Sequence, residues 1–447
     1  MSVLVIVVVL AVLLWQFSRS FWAGLSCAVG FLVSLPNVVQ VPLPGSLPAL
    51  TVHRLIVLLV LCFWLRESHN RVTETGFPFK AVLWCILGTQ VLSVLFGVEL
   101  VSSLKAFCYY ALENVLFLYV LVTVTRDRDD GAHLVRGMCA GLFAVAILAF
   151  IEKYRGYSPM QYFPGYYDGT VMATFSHRIL LGTAMAMGWP LCMYWAALEE
   201  TPKRRALAWL AACMCIGSCY FAQSRGPWMG VVLAALTVGV LGSGKQRKLL
   251  IGIGALALLV WMSNSGVRAT IQARVGSTFD DDSQAQVSYQ WRWELWRKAW
   301  KEITKSPTRM AFGYGPGSSE ALNWEGEVSF LNYQDSFSSW DNNWAAYLLE
   351  CGLLGFAVLL CFYVAVGLRL WNIWRHVRGR DKEFAAFIAA AVVVYTFMQT
   401  NVKIFAPQVN YIFWIALAVG IGLERQPHTD ELMESVEQPL EPVAEGA

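Results

Sequence analysis

Charge is what this sequence has least of. Of its 447 residues, 15% are Asp, Glu, Lys or Arg and 57% are hydrophobic, with a mean hydropathy of +0.49. Soluble proteins carry about a quarter charged residues, so a soluble fold of this length is excluded: the apolar excess needs lipid to cover it. Cysteine is missing from one place that matters. Eleven are present, but none lies between Ser265 and Trp340, the one long hydrophilic stretch. That excludes a disulfide framework there, and no Cys/His spacing suits a zinc site, so no metal is expected. No Lys or Arg precedes the first apolar run, Val3–Trp15, and Trp15, Gln16, Phe17 and Arg19 stand where a small-residue cleavage pattern would be. The start is therefore not expected to be a cleaved signal peptide. Internal repeats are lacking too, and a net charge of +3 gives no sign of nucleic-acid binding.

What is present is a succession of apolar runs of the length a helix needs to cross a bilayer, roughly 17–25 residues. They fall at 3–17, 21–36, 50–65, 79–97, 105–124, 132–151, 178–198, 206–222, 227–243, 247–264, 342–367, 384–400 and 408–423. Backbone amides in lipid must be satisfied within their own segment, so these are helices. The expectation is an all-α, polytopic integral membrane protein of about 12–13 transmembrane helices, with one long loop holding short amphipathic helices. Residues 1–264 form the N-terminal helices, 265–340 the loop, 341–423 the C-terminal helices and 424–447 an acidic, disordered cytoplasmic tail. Basic clusters at Arg66/Arg71/Lys80, Arg126/Arg128, Lys203–Arg205, Lys245–Lys248 and Arg369–Lys382 fall at every second loop, which the positive-inside rule assigns to the cytoplasm. The alternate loops at 37–49, 98–104 and 401–407 hold one lysine, Lys403. This puts Glu152–His177, Arg225, the long loop and Asp341 together on the outer face.

Several outer-face residues suit chemistry. In Ser224-Arg225-Gly226-Pro227-Trp228, glycine and proline stop one helix and open the next, so Arg225 stands beside an N-terminus with unpaired N–H groups. A guanidinium fork beside such an end suits phosphate or diphosphate. Arg292, Trp296, Ala299 and Ile303 share one face of an amphipathic helix in the long loop, and Arg297, Lys301 and Lys305 another. The glycine-rich run Phe312–Gly317 would let backbone approach a ligand. Asp341-Asn342-Asn343 opens the next span; any of the three would serve as its cap, and a carboxylate there could act as general base on a sugar hydroxyl. Glu350, about 13 Å further along, reads as a paired structural carboxylate. His177-Arg178 adds a titratable ring and a further cation, and His53-Arg54 is a weaker pair of the same kind.

These pieces, Thr174-Phe-Ser-His-Arg178, Ser224-Arg-Gly-Pro-Trp228, Arg292-x3-Trp296-x2-Ala299 with Pro307 and Gly313-Tyr-Gly315, and Asp341-Asn342-x4-Tyr347-Leu-Leu-Glu350-Cys-Gly352, occur in that order. In this the chain resembles the O-antigen ligase and O-antigen polymerase superfamily of bacterial envelope glycan assembly. The resemblance implies a metal-independent, inverting glycosyltransferase in the inner membrane with its site facing the periplasm and no cofactor. Its donor would be an undecaprenyl-diphosphate-linked glycan and its acceptor a glycan or lipid A-core, with a chain-length regulator as a possible partner. By the same resemblance Arg225 and Arg292 hold the diphosphate and Asp341 takes the acceptor's proton, while Arg178, His177 and Asn342 line the substrate. Ligases of the family usually have His-Asn where this chain has Asp341-Asn342. Aspartate, with an ordinary pKa of about 3.9, is a weaker base, and the departure favours polymerisation or transfer of a surface polysaccharide such as an exopolysaccharide over strict ligation to lipid A-core. The competing expectation is a transporter or flippase of lipid-linked sugars, which calls for charge at mid-membrane and internal repeats.

Overall fold

The structure, a computed structural model, describes residues 2–41, 49–71, 77–156, 170–276, 284–321, 340–404 and 406–425. The acidic stretch beyond Arg425 and residues 157–169, 277–283 and 322–339 lie outside these.

Each of the expected spans coincides with helix. The first group is α1 (Ser2–Arg19), α2 (Phe21–Ser34), α3 (Val52–Arg71), α4 (Lys80–Leu95) and α5 (Leu100–Tyr110), which runs through a π-helical turn at Ala111–Leu116 into α6 (Phe117–Val124). Next come α7 (Arg128–Arg155), α8 (Arg178–Leu198), α9 (Pro202–Phe221), α10 (Arg225–Leu241) and α11 (Gly244–Ser263). The hydrophilic stretch supplies α12 (Ser265–Gly276), α13 (Gln284–Ile303), α14 (Pro307–Phe312) and α15 (Ser318–Ala321), before α16 (Asn343–His376), α17 (Gly379–Met398) and α18 (Pro407–Glu424). Strand is confined, among the described residues, to the antiparallel pair β1 (Gln40–Val41) and β2 (Leu50–Thr51). Six of the helices are long and apolar enough to cross a membrane by length and composition alone. The chain is an all-α, multi-pass membrane protein.

Local chemistry sets the helix ends. α7 begins where the Asp127 carboxylate accepts the N–H groups of Asp129 and Asp130, both at 2.9 Å, and ends on Gly156 in the left-handed region at φ 62°. Its acidic first turn and its basic last turn at Lys153 and Arg155 both complement the helix dipole. α8, α17 and α18 are the buried centre, whereas α11 is almost wholly exposed on the rim.

Small residues bring the inner helices together, as expected where lipid offers no hydrophobic drive between helices. α2 crosses α7 so closely that a Cβ on Gly137 would lie 2.1 Å from the Ser26 carbonyl oxygen, and one on Gly141 would lie 2.3 Å from that of Gly30. The Ser26 hydroxyl donates to the His133 carbonyl at 2.9 Å in the same seam. Gly137→Val is expected to force α2 off α7 and lower the thermal midpoint of the purified protein by several degrees. An unchanged midpoint in detergent would show that this crossing is not tight.

One feature departs from the simple span reading. α16 is broken at Gly352, whose φ of 63° and ψ of −169° no L-residue adopts easily. A Cβ there would lie 2.5 Å from the Ala311 carbonyl oxygen, because α14 and the glycine turn after it press against the break. Tyr314 N–H donates to Leu349 O at 3.0 Å and Gly315 N–H to Glu350 O at 2.9 Å, so the carbonyls freed by the break are satisfied by that turn.

Candidate functional site

The turn between α9 and α10 is strained at Gln223, φ 49°, and its Ser224 is extended. α10 starts at Arg225, two residues before the expected span 227–243, so Gly226 and Pro227 belong to its first turn. There proline's missing N–H costs nothing, since that N–H would have no intrahelical partner. The Pro227 ring packs on Gly182 of α8, where a Cβ would meet it at 2.6 Å. Gly182 lies one turn below Arg178, so the openings of α8 and α10 stand side by side. Gly226 in turn faces the end of α17 and the segment after it, a Cβ there meeting Met398 Cε at 3.3 Å and Asn401 Cγ at 3.4 Å.

Arg292 reaches the same segment from the long loop. α13 buries Leu295, Ala299 and Ile303, with Trp296 edge-on to Phe356 of α16 at 6.0 Å; Trp293 and Trp300 point outward. The face expected to carry Arg292 is thus docked on α16 and does not simply lie on the membrane surface. Arg292 Nε and Nη2 both donate to the Asn401 carbonyl oxygen, each at 3.3 Å. Burial pushes the Arg292 guanidinium below its ordinary value; the Asp341 carboxylate pulls it back up, and the charge of Arg225 adds to the depression. Arg225, Arg292 and Asp341, far apart in sequence, are therefore within electrostatic reach of one another. Arg178 and Arg274 also act on Arg225.

Among the three polar residues opening α16, Asn342 is the cap. It is buried and its side-chain oxygen accepts Ala345 N–H at 3.1 Å. Asn343 N–H donates to Gln399 O at 2.9 Å, and the two side-chain amides also bond. Asp341 precedes the cap, partly exposed, with its charge directed at Arg292. His177 caps α8, its Nδ1 accepting Ile179 N–H at 3.2 Å. His177 and Asn342 are thus both engaged with backbone. Arg54 is paired with Glu113 at 2.7 Å, away from this cluster.

Two expectations resolve into structural roles. The glycine turn packs closely against the protein itself: a Cβ on Gly313 would sit 2.5 Å from the Glu350 carbonyl oxygen, and one on Gly315 would sit 2.2 Å from Ser103 Oγ. Glu350 is the paired carboxylate expected, bonded to Lys403 Nζ at 3.0 Å and to the Ser319 hydroxyl; Lys403 also meets Glu320 at 3.1 Å.

Three contributors were not visible beforehand. Arg274, on α12, joins the cation cluster and donates to Gln223 Oε1 at 2.8 Å. Glu152 is fully buried and accepts Ala173 N–H at 2.6 Å and Met172 N–H at 3.3 Å. It thereby holds Ala173 at φ 50°, four residues before His177. The segment Gln399–Lys403 is the common strut, touching Asn343 through Gln399, Arg292 through Asn401 and Glu350 through Lys403. A carboxylate at the end of a span and a lone lysine in alternate loops that otherwise hold no Lys or Arg were the only sequence hints.

Like charges repel, so an array of Arg178, Arg225, Arg274 and Arg292 held beside the adjacent openings of α8 and α10 suits an anion with more than one charge. Residues 208–360 match the family model described as O-antigen ligase. That stretch contains Arg225, Arg274, Arg292, Asp341 and Asn342, while His177, Arg178 and the Gln399–Lys403 strut flank it. No curated protein matches the chain. The chain is therefore a multi-pass membrane protein that over residues 208–360 is similar to the O-antigen ligase family.

Proposed function

We propose that the protein joins undecaprenyl-diphosphate-linked oligosaccharide to an acceptor glycan at the periplasmic face of the inner membrane, as a polymerase-type member. The convergence of Arg225 and Arg292 with Asp341 carries this reading. The two guanidinium groups, at the N-terminus of α10, hold the donor's diphosphate. An acceptor hydroxyl approaches the anomeric carbon from the face opposite the diphosphate, and Asp341 takes its proton as the new C–O bond forms. The bond from the anomeric carbon to the diphosphate oxygen breaks with inversion, and the electron pair leaves on undecaprenyl diphosphate. Negative charge grows on that leaving group as the bond stretches, so arginines already in place favour the transition state over the ground state. The acceptor is a growing surface polysaccharide, with lipid A-core the alternative, and a chain-length regulator fits beside a polymerase.

The deciding experiment gives the purified protein, in vesicles, a lipid-linked oligosaccharide labelled on the sugar. Formation of longer glycan with matching release of undecaprenyl diphosphate is expected. Movement of intact label across the bilayer with no new glycosidic bond would instead make the protein a transporter.

A further inference from the structure

At the end of the bundle away from the arginine cluster lies a cavity of about 280 Å³, which the reaction described above does not use. α8 joins the two regions: Arg178 opens it at the cluster and Leu198 closes it at the cavity, 21 residues or about 30 Å along. Walls are given by the first turns of α7, α9 and α17. Four arginines line it, Arg128, Arg136, Arg204 and Arg380, against the carboxylates Asp129, Glu199 and Glu200.

The charges are not equally committed. Glu199 is held by Arg136 at 2.7 Å and by Trp195 Nε1 at 3.0 Å, with Arg204 only at 3.9 Å. Arg128 leans to Asp381 at 3.4 Å, and Asp129 is almost fully in solvent. Arg380 has no hydrogen bond or ion pair among the described residues, and it is exposed, as is Arg204. Neither α9 nor α17 has a side-chain cap: Thr201 and Arg378 make no cap hydrogen bond, so first-turn N–H groups face this end of the bundle. Beneath, Tyr194 is fully buried against Phe384 at 4.3 Å, its hydroxyl has no hydrogen-bond partner, and it lies within electrostatic reach of Arg128 and Asp129.

We propose that this cavity binds a phosphate group, delivered by the headgroup of an anionic membrane lipid. Arg380, and Arg204 with only its 3.9 Å pairing to Glu199, are the least committed cations at the mouth; the open turns of α9 and α17 supply N–H donors, and the cavity sits where spanning helices end, at headgroup level. Basic pockets between transmembrane helices take such headgroups. The volume lies just under the roughly 300 Å³ at which pockets accept drug-sized molecules, enough for a headgroup.

The test compares the full-length protein with the Arg204→Gln/Arg380→Gln variant in nanodiscs of phosphatidylcholine, with and without cardiolipin or phosphatidylglycerol. Thermal midpoint and retained lipid by native mass spectrometry are read. The anionic lipid is expected to raise the wild-type midpoint and to remain bound. In the variant its affinity falls by roughly thirtyfold, the effect of two arginines at a membrane surface. Both side chains are exposed, so in phosphatidylcholine alone the variant should melt as the wild type does; the single Arg380→Gln variant, with no contact to lose, repeats the test if it does not. Equal retention by wild type and variants overturns the proposal. Stabilisation by millimolar inorganic phosphate without any by anionic lipid overturns the lipid as its source.

Discussion

Arg292→Ala is expected to slow glycan transfer by about 10²–10³, the usual loss when one preorganised donor to a developing anion is removed. The loss should fall on kcat and on kcat/KM alike, because the charge it meets appears only as the diphosphate departs. Donor binding should change less, since Arg225, Arg178 and Arg274 remain. Arg292→Lys should restore only part of the rate. A lysine is a point charge and cannot donate to the Asn401 carbonyl through two nitrogens, as Arg292 does at 3.3 Å each, while also facing the diphosphate. The measurement is initial rate over a range of lipid-linked donor, with the thermal midpoint as the control for folding. A variant that keeps the wild-type kcat and loses only donor affinity would remove Arg292 from the transition state and leave it a binding residue.

Most of the architecture was legible because it is decided locally. A run of apolar residues long enough to cross lipid has to be helix, so each expected span falls on a helix, six of them long and apolar enough to cross a membrane. Arg225, one of the residues converging on the candidate site, stood out for a related reason: arginine next to helix-breaking residues at the mouth of an apolar span is expensive in lipid. What could not be read depends on contacts between distant segments. Glu350-Cys-Gly-Leu-Leu-Gly355 continues a helix by any local criterion, yet α16 breaks at Gly352 because the chain at Ala311 occupies the space a Cβ would need. The glycines at 313 and 315 looked suited to a ligand for the same reason that they fit against Glu350 and Ser103: each permits close approach, and sequence does not say to what. Arg274 sits in no motif; only the fold of α12 back over the α9–α10 turn brings it to Gln223. Lys403 was visible as an exception to charge bias, and its partners explain the exception.

Those partners make Glu350→Ala the substitution with the largest expected effect on stability. Lys403 is enclosed by Glu350 at 3.0 Å, Glu320 at 3.1 Å and the Ser319 hydroxyl at 2.6 Å. Burial alone would push its ammonium down, but the two carboxylates hold it above its ordinary value. Removing Glu350 leaves that charge in place with only the more exposed Glu320 to balance it, and breaking a buried pair on one side costs about 3–5 kcal/mol. The thermal midpoint in detergent should fall sharply. Lys403→Met alone should also destabilise, whereas the double variant Glu350→Leu/Lys403→Met should recover much of the loss, since no charge is then buried unpaired. The pH response has a definite sign. A lysine raised on folding contributes its full stabilisation below its ordinary pKa of about 10.4 and loses it as pH climbs through the higher folded value. Midpoints of wild type and double variant should therefore keep a constant difference through neutral pH and converge only in strong alkali. Activity separates this role from catalysis. The strut from Gln399 to Lys403 carries both Asn343 and the Asn401 carbonyl that holds Arg292, so the double variant should bind donor normally and turn over more slowly, its Arg292 less firmly set. Wild-type turnover in a stable double variant would show that Lys403 holds the fold together without setting the geometry of the arginines.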